Sequence, residues 1–279
     1  MIQCKLATQV SDQVLYDVWM EGYSDYLMKF TIKKPDFIKR FIENESVREY
    51  SYVAYEDDKP VGLMLGNIKV YDGIKTMRCG GFAVIPTYRS KGVGKILLDH
   101  HQQLAKKNDC KQLYLEVLKK NEKAIKFYRT NGYLPVYDYK YFKKDNVELL
   151  SDLSLDIEEV DFDVIKSIRA SLPELHIFWQ GEMFVIDKFE GIRNYAIKEN
   201  DEIVAAISMK ESGLINFVWV KKDLRLQGYA KALVCHGLKK LSHNNLLAIT
   251  SNNYAYEGFI RHLGLQLELE QYEMMLPIR

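Results

Sequence analysis

No apolar stretch of this sequence approaches the ~20 residues that a helix needs to cross a bilayer. The first ten residues, Met1-Ile-Gln-Cys-Lys-Leu-Ala-Thr-Gln-Val10, also lack a basic segment followed by an apolar run, so a secretory signal is not expected. Cysteine is scarce. Cys4, Cys79, Cys110 and Cys235 lie far apart and form no C-x-x-C pair, which argues against a disulfide framework and against a zinc site. Four reduced thiols in a cytoplasmic protein are the expectation, with no metal. Charge of one sign is lacking too: 39 Lys+Arg against 38 Asp+Glu leaves +1. A near-neutral chain has no general attraction for nucleic acid or an anionic membrane, so neither is expected as a partner.

What is present suits packed cores. Of 279 residues, 47% are hydrophobic and 12% aromatic, which excludes wholesale disorder, and at roughly 150 residues per domain the length suggests about two domains. The first half alternates helical and strand patterns. Val14, Leu15, Val18, Trp19, Tyr23, Tyr26 and Leu27 repeat with a helical period, predicting a helix over residues 12–30. Pro35 ahead of Phe37, Ile38, Phe41 and Ile42 predicts a second helix with proline in its first turn. Strands are predicted over 50–55, 61–70, 78–85 and 113–118, a helix follows residue 92, and a short helix over 122–130 is stopped by Asn131-Gly132. An alternating run, 133–142, reads as the last strand of a first domain. The charged stretch Lys143-Lys-Asp-Asn-Val-Glu148 reads as a linker, giving domains of 1–146 and 147–279.

The two halves are related by an internal repeat. Val84-Ile-Pro-Thr-Tyr-Arg89-Ser-Lys-Gly92-Val-Gly94-Lys95 aligns with Val220-Lys-Lys-Asp-Leu-Arg225-Leu-Gln-Gly228-Tyr-Ala230-Lys231, an offset of 225 − 89 = 136. At that offset Leu97 meets Leu233 and His100 meets His236. Three strand patterns precede the second loop and a strand and helix follow it, as in the first half. The period is far too long for a solenoid and reads as two copies of one domain.

A strand followed by R-x-x-G-x-G at the start of a helix is an anion site in physical terms. The first turn of a helix leaves backbone N–H groups without partners at the positive end of its dipole. Glycine lets an anion approach the backbone, and Arg89 and Lys91 add charge. Two nucleotide motifs fail. A Walker A loop needs Ser or Thr after the lysine, but Gly94-Lys95 precedes Ile96, and Arg89 stands where its first glycine belongs. A Rossmann fingerprint needs a third glycine where Leu97 stands.

The sequence resembles the GCN5-related N-acetyltransferase (GNAT) superfamily. Arg89-Ser-Lys-Gly92-Val-Gly94 is similar to its acyl-CoA pyrophosphate loop. Asn121-Glu-Lys-Ala124-Ile-Lys-Phe-Tyr128-Arg-Thr-Asn-Gly132-Tyr133 is similar to its N-x-x-A-x-x-x-Y-x-x-x-G-[FY] segment. The resemblance is good over residues 1–143 and fainter beyond. It implies an α/β fold with a mixed, mostly antiparallel twisted sheet flanked by helices, present as two tandem domains. It further implies a splay between the strand ending near Val84 and the strand 113–118, with acetyl-CoA as co-substrate and its pantetheine arm pairing with the backbone of Phe82 and Val84. Small residues there, Gly80, Gly81 and Ala83, would leave room for the arm, or would admit a neighbouring helix. Ser90, Lys91, Gly92, Val93, Gly94 and Lys95 would hold the pyrophosphate, with Asn121, Ala124 and Tyr128 lining the arm.

Acetyl transfer to an amine requires removal of a proton from the amine, stabilisation of an oxyanion and protonation of the departing thiolate. By resemblance Tyr128 is the general acid. Glu116, alone among apolar residues of its strand and 128 − 116 = 12 residues before Tyr128, is the candidate base, since burial would raise its pKa. It could instead be an exposed strand residue or hold a basic group. Cys79 and Asp99 are weaker candidates, and His100 and His101 read as packing or surface residues. Trp19, Tyr23, Tyr26 and Phe30, with Tyr137, Tyr139 and Tyr141, would wall an acceptor pocket or simply be core. In the second copy the acid position is Phe259 or Ile260, depending on register, with Tyr254 or Tyr256 as alternatives, and that copy reads as degenerate. The functional expectation is N-acetyl transfer to a small-molecule or peptide amine by direct attack. The alternative is a non-catalytic acyl-CoA-binding sensor or scaffold.

Overall fold

The computed structural model describes residues 1–28, 31–43, 46–148, 155–241 and 244–278. In chain order the elements are β1 (Ile2–Leu6), α1 (Asp12–Gly22), α2 (Lys34–Glu43), β2 (Val47–Glu56), β3 (Lys59–Tyr71), β4 (Ile74–Val84), α3 (Val93–Lys107), β5 (Gln112–Leu118), α4 (Glu122–Thr130), β6 (Leu134–Lys144), β7 (Ile157–Glu159), α5 (Phe162–Ala170), α6 (Met183–Ile186), β8 (Ile192–Glu199), β9 (Glu202–Lys210), β10 (Leu214–Val220), α7 (Tyr229–Leu241), β11 (Leu246–Ser251), α8 (Tyr254–His262) and β12 (Gln266–Pro277). They form two compact units, residues 1–136 with 272–279, and residues 137–271.

The first unit carries strands in the order β1-β2-β3-β4-β5, with the end of β12 beside β5. Pairing is antiparallel from β1 to β4 and parallel between β4 and β5. Asp72 and Gly73 both have positive φ, 48° and 74°, as a two-residue hairpin turn requires. One sheet face packs α3 and α4 over Leu97, Leu98, Leu113, Leu115 and Ile125. The other packs α1 and α2 over Leu15, Val18, Trp19 and Phe37. Helix α1 begins at Ser11, whose hydroxyl accepts the Val14 N–H. It buries Leu15, Val18, Trp19 and Gly22, one stripe at helical spacing. It ends at Gly22 rather than at the expected residue 30, and a Cβ at Gly22 would lie 2.7 Å from the Ala83 Cβ.

The second unit repeats the plan, in the order β6-β11-β10-β9-β8-β7. Among the described pairings from β6 to β7 in that order, the β10–β11 pair alone is parallel. The units therefore divide differently from the expected 1–146 and 147–279. Strand β6 pairs antiparallel with β11, from Tyr139 against Ser251 to Lys144 against Leu246, while the end of β12 takes the sixth position in the first unit. An alternating strand specifies which face it buries but not which edge it joins. The expected linker is also structured: Val147 is 9% exposed in the second unit's core and its N–H donates to the Asn244 carbonyl at 2.7 Å. Among the described residues no helix is long and apolar enough to cross a membrane, and no group of three or more His, Cys, Asp or Glu could hold a metal ion.

Candidate functional site

In the first unit β4 and β5 part company. Their pairing runs from Thr76 against Gln112 to Cys79 against Leu115, while β4 continues to pair with β3 as far as Val84. Residues 80–84 and 116–118 therefore flank a wedge-shaped opening. The Tyr23 hydroxyl accepts the Phe82 N–H at 3.3 Å and donates to the Phe82 carbonyl at 3.1 Å. Phe82 thus turns both backbone groups away from β3 and towards the opening.

The expectation that small residues make room there for a ligand is corrected. A Cβ at Gly81 would lie 2.5 Å from Trp19 Cζ3, and one at Gly80 3.1 Å from Arg78 Nη1. Ala83 faces Gly22. These residues admit α1 and Arg78.

After β4 the chain turns through the loop 89–92. Ser90 and Gly92 have positive φ, 60° and 84°, and the first helical bond of α3 runs from Ile96 N–H to the Gly92 carbonyl. The N–H groups at the start of α3 precede its first helical bond, the ordinary condition of a helix start and one suited to an anion. A Cβ at Gly94 would lie 3.3 Å from Phe82 Cζ and 3.7 Å from Phe127 Cζ, so its absence brings the loop close to the opening.

Arg89 is engaged by protein groups. Its Nε donates to the Val84 carbonyl at 2.9 Å, Nη2 to the Gly22 carbonyl at 2.8 Å, and the two terminal nitrogens grip Asp25 at 2.7 and 2.8 Å. That hydrogen bond holds the Asp25 carboxyl below the usual range. Arg89 fastens the loop to the end of α1. Lys91 lies over the Tyr88 ring at 5.0 Å, and Lys95 pairs with Asp99. Val93 is buried.

Tyr128 stands on α4, 6% exposed, its ring against Phe82 at 6.2 Å and Tyr133 at 5.8 Å. Burial drives its pKa far above the ordinary tyrosine value, reinforced by the nearby Cys79 and Tyr23, so the phenol keeps its proton. Asn121 caps α4, accepting the Ala124 N–H at 3.2 Å, and its side chain also hydrogen-bonds Tyr26. Glu116 is the first residue of β5 beyond the last β4–β5 pair. It is 7% exposed and paired with Arg78, itself 3% exposed, at 3.2 Å. Burial raises its pKa, and Arg78 opposes that rise. Of the readings open to Glu116, holding a basic group is realised. Cys79 is buried and its thiol pushed up to about 12 by burial, and Asp99 is engaged by Lys95 on α3. His101 is fully buried and His100 packs on Tyr52, so both serve packing.

Trp19 is core, 8% exposed, with Tyr23 at 4.5 Å. Tyr137 and Tyr139 belong to the second unit, where they pack on His176 and Phe178, and Tyr141 is there too. Phe30 lies outside the described residues. Sequence reasoning missed Tyr23, Asp25 and Tyr26 as ties across the opening, and Arg78 and Glu273 as partners of Glu116. The available signal was Glu116, the one charge on β5, with Arg78 close to the middle of β4.

The second unit reproduces the backbone of the site. Pairing of β10 with β11 ends at Ile215 against Ala248, and Ile215 is Cys79 shifted by 136. Leu226 and Gly228 repeat the positive φ values, 64° and 91°, and Arg225 Nε donates to the Val220 carbonyl at 3.1 Å. Val218 in place of Phe82 gives space for Ala230 in place of Gly94. Asn253 caps α8 by accepting the Tyr256 N–H, and with Gly264 it fixes an offset of 132. The acid position is therefore Ile260, 0% exposed, and by strand pairing, which matches Ala248 to Leu115, Ile249 replaces Glu116. Tyr256 stands at the position of Ala124 and, with the segment 175–178, lines a small cleft between the strands, about 70 Å³.

These features agree with known proteins. The model of the acetyltransferase (GNAT) family matches residues 13–133 and 162–265. A tandem GNAT protein from the clavulanic acid biosynthesis pathway superposes with a TM-score of 0.70 at 15% identity, over 99% of this chain and 98% of that one. A GCN5-related N-acetyltransferase from Sphaerobacter thermophilus gives 0.70 at 12% identity, over 100% and 96%, and one from Anabaena variabilis 0.63 at 14%, over 99% and 72%. With its fold repeated in both halves, the chain belongs to the acetyltransferase (GNAT) family.

Proposed function

We propose that the first unit transfers an acetyl group from acetyl-CoA to a primary amine by direct attack. The observation that carries this reading is the convergence of three features at one opening: the parting of β4 and β5 after Cys79, the loop amides of residues 90–95 and the protonated phenol of Tyr128. Acetyl-CoA would supply the thioester and the thiolate leaving group. The loop amides and the start of α3 would bind its pyrophosphate, the backbone of Phe82 and Val84 would pair with its arm as an added strand, and Asn121 and Ala124 would line the far side. Tyr128 would give its hydroxyl proton to the departing sulfur, and Glu116 would take the proton lost by the amine. The Phe82 N–H, released by Tyr23, would donate to the developing oxyanion.

The second unit lacks both the phenol and the carboxylate, with Ile260 and Ile249 at those positions, and its role is binding or structural. The test is a thiol-release screen of the full-length protein with acetyl-CoA over aliphatic amines, aminoglycosides, amino acids and peptide N-termini. Thiol release with one class supports transfer. Binding of acetyl-CoA without release from any amine would favour a non-catalytic acyl-CoA sensor.

A further inference from the structure

Five ionisable side chains meet on four strands of the first unit. Arg78 lies on β4, Tyr114 and Glu116 on β5, Tyr71 at the end of β3 and Glu273 on β12. Tyr114 and Glu273 are 0% exposed and Tyr71 1%. Arg78 Nε donates to Glu116 Oε2 at 3.2 Å. The Tyr114 hydroxyl lies 3.2 Å from Glu116 Oε1 and 2.8 Å from Glu273 Oε2, and the Tyr71 hydroxyl lies 3.2 Å from the same Oε2. Among these five side chains one cation faces two carboxyl groups, so full ionisation leaves a net charge of 1 − 2 = −1 where water is excluded. Such a site gains by taking up one proton and little by taking up a second. The Tyr114 phenol has a single proton and touches both carboxyl groups, so it joins them into one acceptor.

Resting on the transferase reading above, we propose that Glu273 is a positioning residue for the Glu116 base: linked through Tyr114, the two carboxylates form a single one-proton acceptor. The transfer balances. Glu116 Oε1 receives the proton of the amine and holds it, while the Tyr114 hydroxyl keeps its own proton between the two carboxyl groups. The influences on Glu116 oppose one another: burial and the Glu273 charge raise its pKa, Arg78 and the Tyr114 hydrogen bond lower it, and the net shift is upward. Cys79 on β4 is the other ionisable neighbour and, with its pKa near 12, stays a neutral thiol.

The test follows the Glu116 carboxyl directly. Full-length protein labelled with carbon-13 at the glutamate carboxyl is titrated by NMR without acetyl-CoA, and Glu116→Gln identifies the signal. Glu273→Gln, nearly isosteric, should move the Glu116 midpoint down by about one pH unit, a roughly tenfold loss of proton affinity. Tyr114→Phe should move it up, because a donor to Glu116 is removed, and should shrink the further effect of Glu273→Gln. With the amine that gives fastest thiol release, the acid limb of kcat/KM should move in the same directions, which a purely structural role would not produce. A Glu116 midpoint unchanged by Glu273→Gln, or moved the same way by both variants, overturns the proposal. Absence of thiol release with every amine overturns the transferase reading, while the titration still decides whether the carboxyl groups are coupled.

Discussion

Replacing Tyr23 by phenylalanine should tighten acetyl-CoA binding. In the ligand-free structure the Tyr23 hydroxyl occupies both backbone groups of Phe82, at 3.1 and 3.3 Å. A pantetheine arm pairing with Phe82 must displace those two hydrogen bonds. Each is worth about 0.5–1.5 kcal/mol net, so the pair contributes about 1–3 kcal/mol to the unliganded state. Tyr23→Phe removes that competitor and leaves the bound state with its own hydrogen bonds. At about 1.4 kcal/mol per tenfold change, the gain in affinity lies between about 5-fold and about 140-fold. Phe82 is only half-buried, so water recovers part of the loss, and the lower end, about 5- to 10-fold, is expected. The ring itself, 4.5 Å from Trp19, remains. Calorimetric titration of full-length protein with acetyl-CoA gives the affinity, and thermal unfolding of the unliganded variant should show a Tm a few degrees lower. Unchanged or weaker binding would refute the reasoning, because it would mean that the arm does not use Phe82.

Further outcomes follow from the same geometry. Tyr128→Phe should lower kcat by ~100-fold or more with little change in KM for acetyl-CoA, since the packed ring is kept; unchanged thiol release would remove Tyr128 from the chemistry. Gly92→Ala and Gly228→Ala each place a Cβ at positive φ, 84° and 91°, and each should cost about 1–2 kcal/mol in unfolding. Only Gly92→Ala should weaken acetyl-CoA binding, and an equal effect from Gly228→Ala would implicate the second loop. His101 is fully buried, both ring nitrogens lack partners, and burial holds its pKa at about 4 against an ordinary 6.5. Below pH 6.5 the unfolded chain takes up a proton that the folded chain refuses. The neutral ring therefore contributes fully above pH 6.5, and up to about 3 kcal/mol is lost as pH falls towards 4. Urea midpoints across that range should show the loss, and His101→Leu should flatten it.

Local features were the ones legible in the sequence. The loop before α3, the cap at Asn121, the stop at Gly132 and the position of Tyr128 are set by residues within a few positions of one another. Their backbone signatures recur in both halves. The repeat itself was legible because Arg225, Gly228 and Ala230 keep their spacing. What could not be read depends on which distant strands meet. The run 134–144 alternates equally well whether it borders β5 or β11. Gly81 looks like space for a ligand until Trp19 is seen 2.5 Å from where a Cβ would sit. Arg89 looks like a phosphate ligand until Asp25 arrives from the end of α1. Glu116 looks isolated because its partners come from β4 and from residue 273, and only strand register brings them together.

The exchange of sixth strands also sets the order in which the protein can fold. Residues 1–136 contain five of the first unit's strands, but the sixth arrives with residues 272–277, after 272 − 136 = 136 further positions have been synthesised. During translation the β5 edge, with Tyr114 and Glu116, waits exposed while the whole second unit emerges. Strand β6, next in line from the ribosome, has an alternating pattern that fits the same edge, so a nascent chain has to withhold or release it. A chain cut after residue 146 would therefore not be an intact first enzyme relieved of a spare copy. It would have lost Glu273 and Met274 from the first core, and the remainder, from 147 on, would have lost β6.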